Sequence, residues 1–194
     1  MFYRPAEGHG LPHNPFNALV TPRPIGWISS RGSMGDNLAP YSFFNAVAYV
    51  PPQVMFASTG VKDSLTNIRD TRVFAVNVVG EAHRDAMSES SAMVGRGVDE
   101  FVLTGVAKAD CATIPCPRVA DAPATLECVV TDIIALKGKD NFLILGEVTG
   151  IHLRDDCLIN GKFDATRYQP VARMGYRDYT IVRDVFEMPR PGEG

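Results

Sequence analysis

The sequence predicts a mainly β protein, an antiparallel β-barrel of Greek-key-like type with short helical excursions. Many apolar, β-branched runs of strand length recur along the chain, with only short helical stretches between them, and two of the longest are joined by a hairpin turn. A doubly wound parallel sheet would need a substantial helix after nearly every strand.

The elements follow in order. Residues 1–15 hold Pro5, Gly8, Gly10, Pro12 and Pro15, too many breakers for a regular element, and read as an N-terminal arm. From Ile25, I-G-W-I-S-S reads as a strand, and R-G-S-M-G-D supplies the Gly and Asp of a turn. S-F-F-N-A-V-A-Y-V and V-M-F-A-S are two strands separated by the rigid Pro51-Pro52 break. Asp63 to Arg69 is a short helix whose first turn Asp63 or Ser64 can cap. V-F-A-V-N-V-V is a nearly continuous apolar run, hence a buried strand. Glu81 to Met93 is helical in propensity, and a second short helix covers Asp99 to Leu103. After the Pro-rich I-P-C-P-R-V, long strands at Ala124 to Leu136 and Phe142 to Leu153 flank the K-G-K-D-N turn. One domain over residues 16–186 is expected, followed by a flexible tail at 187–194.

Composition narrows the function. The 194 residues are 45% hydrophobic and 21% charged, ordinary globular usage far from that of disordered chains. The net charge of −3 and the lack of a Lys/Arg run argue against nucleic acid as a partner. No run approaches the ~18 apolar residues that cross a bilayer, and the start lacks a signal-peptide pattern, so a cytoplasmic location is expected. Of the four cysteines only C-A-T-I-P-C brings two together; reduced structural thiols are expected and no metal site. V-G-R-G-V-D, at Val94 to Asp99, does not follow a strand and so is no Rossmann fingerprint. G-x-S-x-G, H-E-x-x-H and Walker patterns are missing, which counts against hydrolases and nucleotidases.

Two segments carry candidate chemistry. N-L-A-P-Y-S-F-F-N, from Asn37 to Asn45, mixes hydrogen-bonding groups with three aromatic residues. Its aromatics are either core or the wall of a planar ligand, for which the run could supply an apolar slot, backbone donors and polar side chains. S-T-G-V-K-D-S-L-T-N-I, from Ser58 to Ile68, puts Ser58, Thr59, Lys62 and Ser64 at a helix start, either a phosphate seat or a capped surface helix. Asp63 opposes a phosphate there unless it is turned away or paired with a base.

T-P-R-P-I-G-W-I-S-S, N-L-A-P-Y-S-F-F-N, P-P-Q-V-M-F-A-S, K-D-S-L-T-N-I, F-A-V-N-V, V-D-E-F, E-C at Glu127-Cys128 and G-E-V-T-G-I-H occur in order. This series resembles the flavin reductase-like domain family of FMN-binding split β-barrels over most of the chain. The resemblance implies a homodimer with FMN at the subunit interface, its ring on Asn37, Leu38, Ala39, Pro40, Tyr41, Ser42 and Phe44. It implies that the phosphate is held by Ser58, Thr59, Lys62, Asp63 and Ser64. Arg173 and Tyr176, in R-Y-Q-P-V-A-R-M-G-Y-R-D-Y, match a family segment that reaches the site from the partner subunit. His152 matches a His near nicotinamide and flavin, or is a satisfied strand-end His; Arg23 is a cofactor or dimer contact, or a salt-bridge partner. Trp27 and Glu127 read as packing and pairing residues. The implied activity is NAD(P)H:flavin oxidoreduction, with NADH or NADPH as co-substrate and a flavin-dependent monooxygenase component as a possible acceptor. Ferric or quinone reduction, or FMN binding without turnover, are the alternatives on the same fold.

Overall fold

The computed structural model describes residues 1–192. Apart from a single 3-10 turn at Pro5–Glu7, the arm is irregular up to α1 (Phe16–Leu19). There follow β1 (Arg23–Pro24), β2 (Gly26–Gly32), β3 (Gly35–Tyr41), β4 (Phe44–Tyr49), β5 (Pro52–Thr59), α2 (Asp63–Thr71) and β6 (Val73–Val78). The rest comprises α3 (Arg84–Glu89), α4 (Glu100–Thr104), β7 (Lys108–Asp110), β8 (Pro117–Val119), β9 (Ala124–Ala135), β10 (Asn141–Leu153), β11 (Leu158–Ile159), β12 (Lys162–Phe163), α5 (Ala165–Tyr168), β13 (Val171–Gly175) and β14 (Asp178–Ile181). The part of the expected tail at residues 193–194 lies outside the described residues.

The fold is mainly β, as the patterning predicts. Seven strands make one antiparallel sheet in the order β3-β2-β6-β9-β10-β5-β4. Consecutive β3 and β4 therefore stand at opposite edges, and the chain crosses between them at Ser42-Phe43. That crossing is the seam of the split barrel. One face of the sheet turns inward, where Ile28, Tyr41, Phe56, Phe74, Cys128 and Ile144 pack together. The Tyr41, Phe56 and Phe74 rings bridge the interior, with centroids 4.7 and 5.4 Å apart and tilted or edge-on contacts, the arrangement aromatic quadrupoles favour. Leu65 and Ile68 of α2 join the same cluster, so this helix closes one end of the barrel.

The outer face carries a second cluster, in which Trp27 and Leu38 pack against Met87 of α3, Phe101 of α4 and Val171 of β13. A three-stranded sheet, β1-β13-β14, lies beside the barrel.

Two expectations change. The helix expected over Glu81 to Met93 is only a 3-10 turn, Glu81–His83, and α3. Ser90 ends it: its hydroxyl donates to Met87 O (2.8 Å) and accepts from Trp27 Nε1 (2.9 Å), tying the chain to the core instead of letting it continue as helix. The cap expected from Asp63 or Ser64 is absent, because Lys62 occupies the N-cap and no side chain accepts from the first turn of α2.

Candidate functional site

A cleft of about 370 Å³ opens along the free edge of β3, between the start of α2 and the segment Ser90–Arg96. Asn37, Ala39, Pro40 and Tyr41 line one wall and Lys62, Asp63 and Ser64 another. Two segments separated in the sequence thus form one surface, because β5 and the Gly60–Lys62 bend return the chain to the edge that β3 leaves open. The volume lies within the roughly 300–1,000 Å³ range of small-molecule sites.

The electrostatics at the helix start are unbalanced toward an anion. Helix α2 has nine residues and no side-chain cap, so the amides of its first turn keep their donors and the positive end of its dipole uncompensated. The Lys62 ammonium stands 5.8 Å from the centre of the Tyr41 ring. The Tyr41 hydroxyl is buried and without a hydrogen-bond partner. Ser58 and Ser64 flank it, and burial pushes its pKa up. Ser58 Oγ donates to Gly60 O (3.1 Å) and Ser64 Oγ to Asn37 Oδ1 (2.5 Å), so neither serine donates to the Tyr41 oxygen. An orphan hydroxyl beside free amides and an ammonium fits the phosphate end of FMN.

Asp63, which would repel such a group, is neutralised. Its carboxylate accepts from Gly97 N (2.7 Å) and pairs with Arg96 (3.2 Å), whose guanidinium also donates to Val61 O (3.1 Å) and Thr66 Oγ1 (3.0 Å). Arg96 and Glu100 also line the cleft and are not among the expected site residues. Arg96 lies in V-G-R-G-V-D, discarded as a dinucleotide fingerprint, and its partner Asp63 is distant in the sequence. Glu100 is buried and accepts from Asn37 Nδ2 (2.8 Å) and Leu38 N (3.0 Å). Burial pushes its carboxyl up against those two hydrogen bonds. Glu100 thus covers one exposed donor of the β3 edge and fixes the amide orientation of Asn37.

The remaining expected residues divide. Leu38 points away from the cleft into the outer cluster. Phe44 rests on β2, where a Cβ on Gly26 would stand 2.8 Å from its ring, and packs against the inner core. Ser42 lies at the β3–β4 crossing, while Thr59 hydrogen-bonds Asn141 (3.2 Å). Arg23 is buried, donates to the carbonyls of Asn17 and Val20, and sits 5.7 Å from the Phe43 ring. It is cross-strand neighbour to Arg173, whose guanidinium reaches Tyr179 and the Tyr176 carbonyl. Arg23, Arg173 and Tyr176 therefore belong to the small sheet and do not line this chain's cleft.

His152 also stands apart. The register Leu38–Ser29–Ala75–Glu127–Gly150 runs across the sheet, and His152 follows two residues beyond Gly150. Four strand steps of ~4.8 Å separate it from β3 by about 19 Å along the sheet. Its Nε2 meets the Glu127 carboxylate, which is fully buried and also accepts from Ala112 N (2.6 Å), Thr113 N (2.6 Å) and Thr113 Oγ1 (2.5 Å). Burial alone would raise the Glu127 pKa, but the donors of Thr113, Ala112 and His152 hold it at about 2.

Known proteins share the family and the fold. A family model described as flavin reductase like domain matches residues 19–171. An uncharacterised protein of Deinococcus radiodurans is 40% identical over 187 residues, covering 89% of this chain and 82% of its own. Nitrilotriacetate monooxygenase component B from Bacillus cereus superimposes with a TM-score of 0.91 at 25% identity, over 97% of this chain and 98% of that one. A Shewanella frigidimarina protein described as a flavin reductase with a split barrel domain gives a TM-score of 0.81 at 18% identity, over 90% and 89% of the two chains, and shows the shared fold.

Proposed function

The chain belongs to the flavin reductase like domain family, and from that membership we propose that it is an FMN-dependent oxidoreductase drawing electrons from NADH or NADPH. The observation that carries the proposal is the buried, unpartnered Tyr41 hydroxyl beside the uncapped start of α2 and the Lys62 ammonium. FMN, when bound, supplies hydride-accepting chemistry that no side chain here can perform. Lys62, the α2 amides and Tyr41 would hold the phosphate. The β3 edge at Ala39, Pro40 and Tyr41 offers backbone and apolar contacts to the ring, and Asn37 is held in place by Ser64 and Glu100.

A homodimer is part of the same reading. Val47, Tyr49 and Val50 on and after β4, and Phe16, Leu19 and Val20 around α1, are exposed. Exposed apolar side chains of this kind are what obligate pairs bury. Arg23, Arg173 and Tyr176 would then serve the cleft of a second copy, and His152 the approach of nicotinamide. The likeness to a monooxygenase component B favours an oxygenase partner as the destination of the electrons.

Anaerobic titration of the FMN-loaded protein with NADH and with NADPH tests the proposal. Bleaching of the flavin spectrum at one equivalent per subunit supports it. A protein that takes up FMN but is reduced by neither nicotinamide is a flavin-binding protein without this activity, and one that stays colourless in excess FMN is neither.

A further inference from the structure

The C-A-T-I-P-C loop joins β7 to β8 on the outer face, away from the cleft. The β7–β8 ladder pairs Asp110 with Pro117, and it continues one step because Cys111 N donates to Cys116 O (3.1 Å). Cys111 and Cys116 are therefore directly opposed. Cys116 N turns to Ile114 O (2.8 Å), so only one bond of the pair is made; Cα atoms of directly opposed antiparallel residues lie about 4.5–5.5 Å apart, inside the roughly 4.4–6.8 Å that a disulfide spans. Opposed residues also project to the same face, and Cys111 packs against the small cluster that holds Cys116, Ile114, Val73 and Ala75. Both thiols are free.

The two sulfurs differ in exposure, so a small oxidant meets Cys111 first. Cys111 is half-buried and open to a small oxidant, whereas Cys116 is buried, its Sγ donating to Ser29 O (3.3 Å) and Pro117 O (3.4 Å). Cys128 and Cys157 offer no competing pair: both are sealed from solvent, and Cys128 faces the inner core behind the sheet.

We propose that Cys111 and Cys116 form an oxidisable dithiol that closes to an intrachain disulfide with hydrogen peroxide. The Cys111 sulfur attacks one peroxide oxygen, the O–O bond breaks, and a Cys111 sulfenic acid and water result. The Cys116 sulfur then displaces the hydroxyl from Cys111 as a second water. In sum two thiols and one peroxide give one disulfide and two waters. The closed ring encircles Ala112 and Thr113, whose amides hold the Glu127 carboxylate, so oxidation clamps the loop that orients the Glu127–His152 pair.

The test uses the full chain and hydrogen peroxide itself. After brief exposure, denaturation and thiol titration, the four cysteines of the chain should leave two titratable thiols, and peptide mass analysis should find Cys111 joined to Cys116. Cys116→Ser should trap a Cys111 sulfenic acid that a dimedone probe labels, and Cys111→Ser should retain all its three thiols. Four thiols after exposure, a bridge between any other pair, or a Cys111→Ser variant that still loses thiols would overturn the proposal. Because each outcome is read on denatured protein after the reaction, circular dichroism of the variants beforehand separates misfolding from lost reactivity.

Discussion

The Glu127 carboxylate, sealed from solvent, accepts hydrogen bonds from Ala112, Thr113 and His152, whereas the Tyr41 hydroxyl, equally sealed, has none. The first region is complete within the chain and the second is not. A buried polar group without a partner costs on the order of 1–3 kcal/mol, and the proposed phosphate seat is where this one stands beside an uncapped helix and an ammonium. The contrast also separates two residues that the sequence places side by side as candidates: Lys62 faces incomplete surroundings, and His152 is tied to a satisfied carboxylate.

The largest effect is expected where the network is complete. Glu127→Ala removes the acceptor of two loop amides and the His152 ring, and should lower stability by about 2–3 kcal/mol in urea unfolding. FMN affinity of the folded fraction should hardly change. Loss of FMN binding with stability intact would break the comparison by making this cluster part of the ligand site. The same carboxylate predicts a pH response. Its pKa falls from an ordinary 4.5 to about 2 in the folded chain. The stability it contributes is therefore complete above pH 4.5 and is lost as pH falls from there toward 2, by about 3 kcal/mol. Glu127→Gln should remove most of that acid sensitivity.

Lys62→Ala comes next, costing about 1.5–3 kcal/mol of FMN binding through one lost charge-assisted contact. Tyr41→Phe sharpens the contrast because its two effects have opposite signs. The FMN-free protein should be as stable as the parent or more so, since an unpaired hydroxyl is removed, while FMN binding weakens by about 0.5–1.5 kcal/mol. A variant that instead loses stability without FMN would show that the hydroxyl has a partner within the chain. Smallest is Arg96→Ala, which breaks a partly exposed pair with Asp63 and should cost less than about 1 kcal/mol of stability.

The strands were legible because period and composition act locally. Val73 to Val79 reads as a buried run from its own residues, and the hairpin of Ala124 to Leu136 with Phe142 to Leu153 from its turn. What stayed hidden depends on distant partners. Nothing near Ser90 announces that Trp27 will end its helix, and nothing near Asp63 announces Arg96, which draws its carboxylate from the expected cap to the loop at Gly97. The walls of the cleft were legible as two separate candidate segments. That Ser64 would bond Asn37, and that Leu38 and Phe44 would pack into the two clusters, follows from strand facing and register, which neither segment encodes alone.

The phosphate assignment is tested most directly by calorimetric titration of FMN and of riboflavin into the Lys62→Ala variant and its parent. FMN should bind the variant roughly ten- to over a hundredfold more weakly, matching the loss of about 1.5–3 kcal/mol, and riboflavin, which lacks the phosphate, should bind both proteins alike. Equal FMN affinities in variant and parent, or an equal loss for both ligands, would contradict the placement of the phosphate at the start of α2.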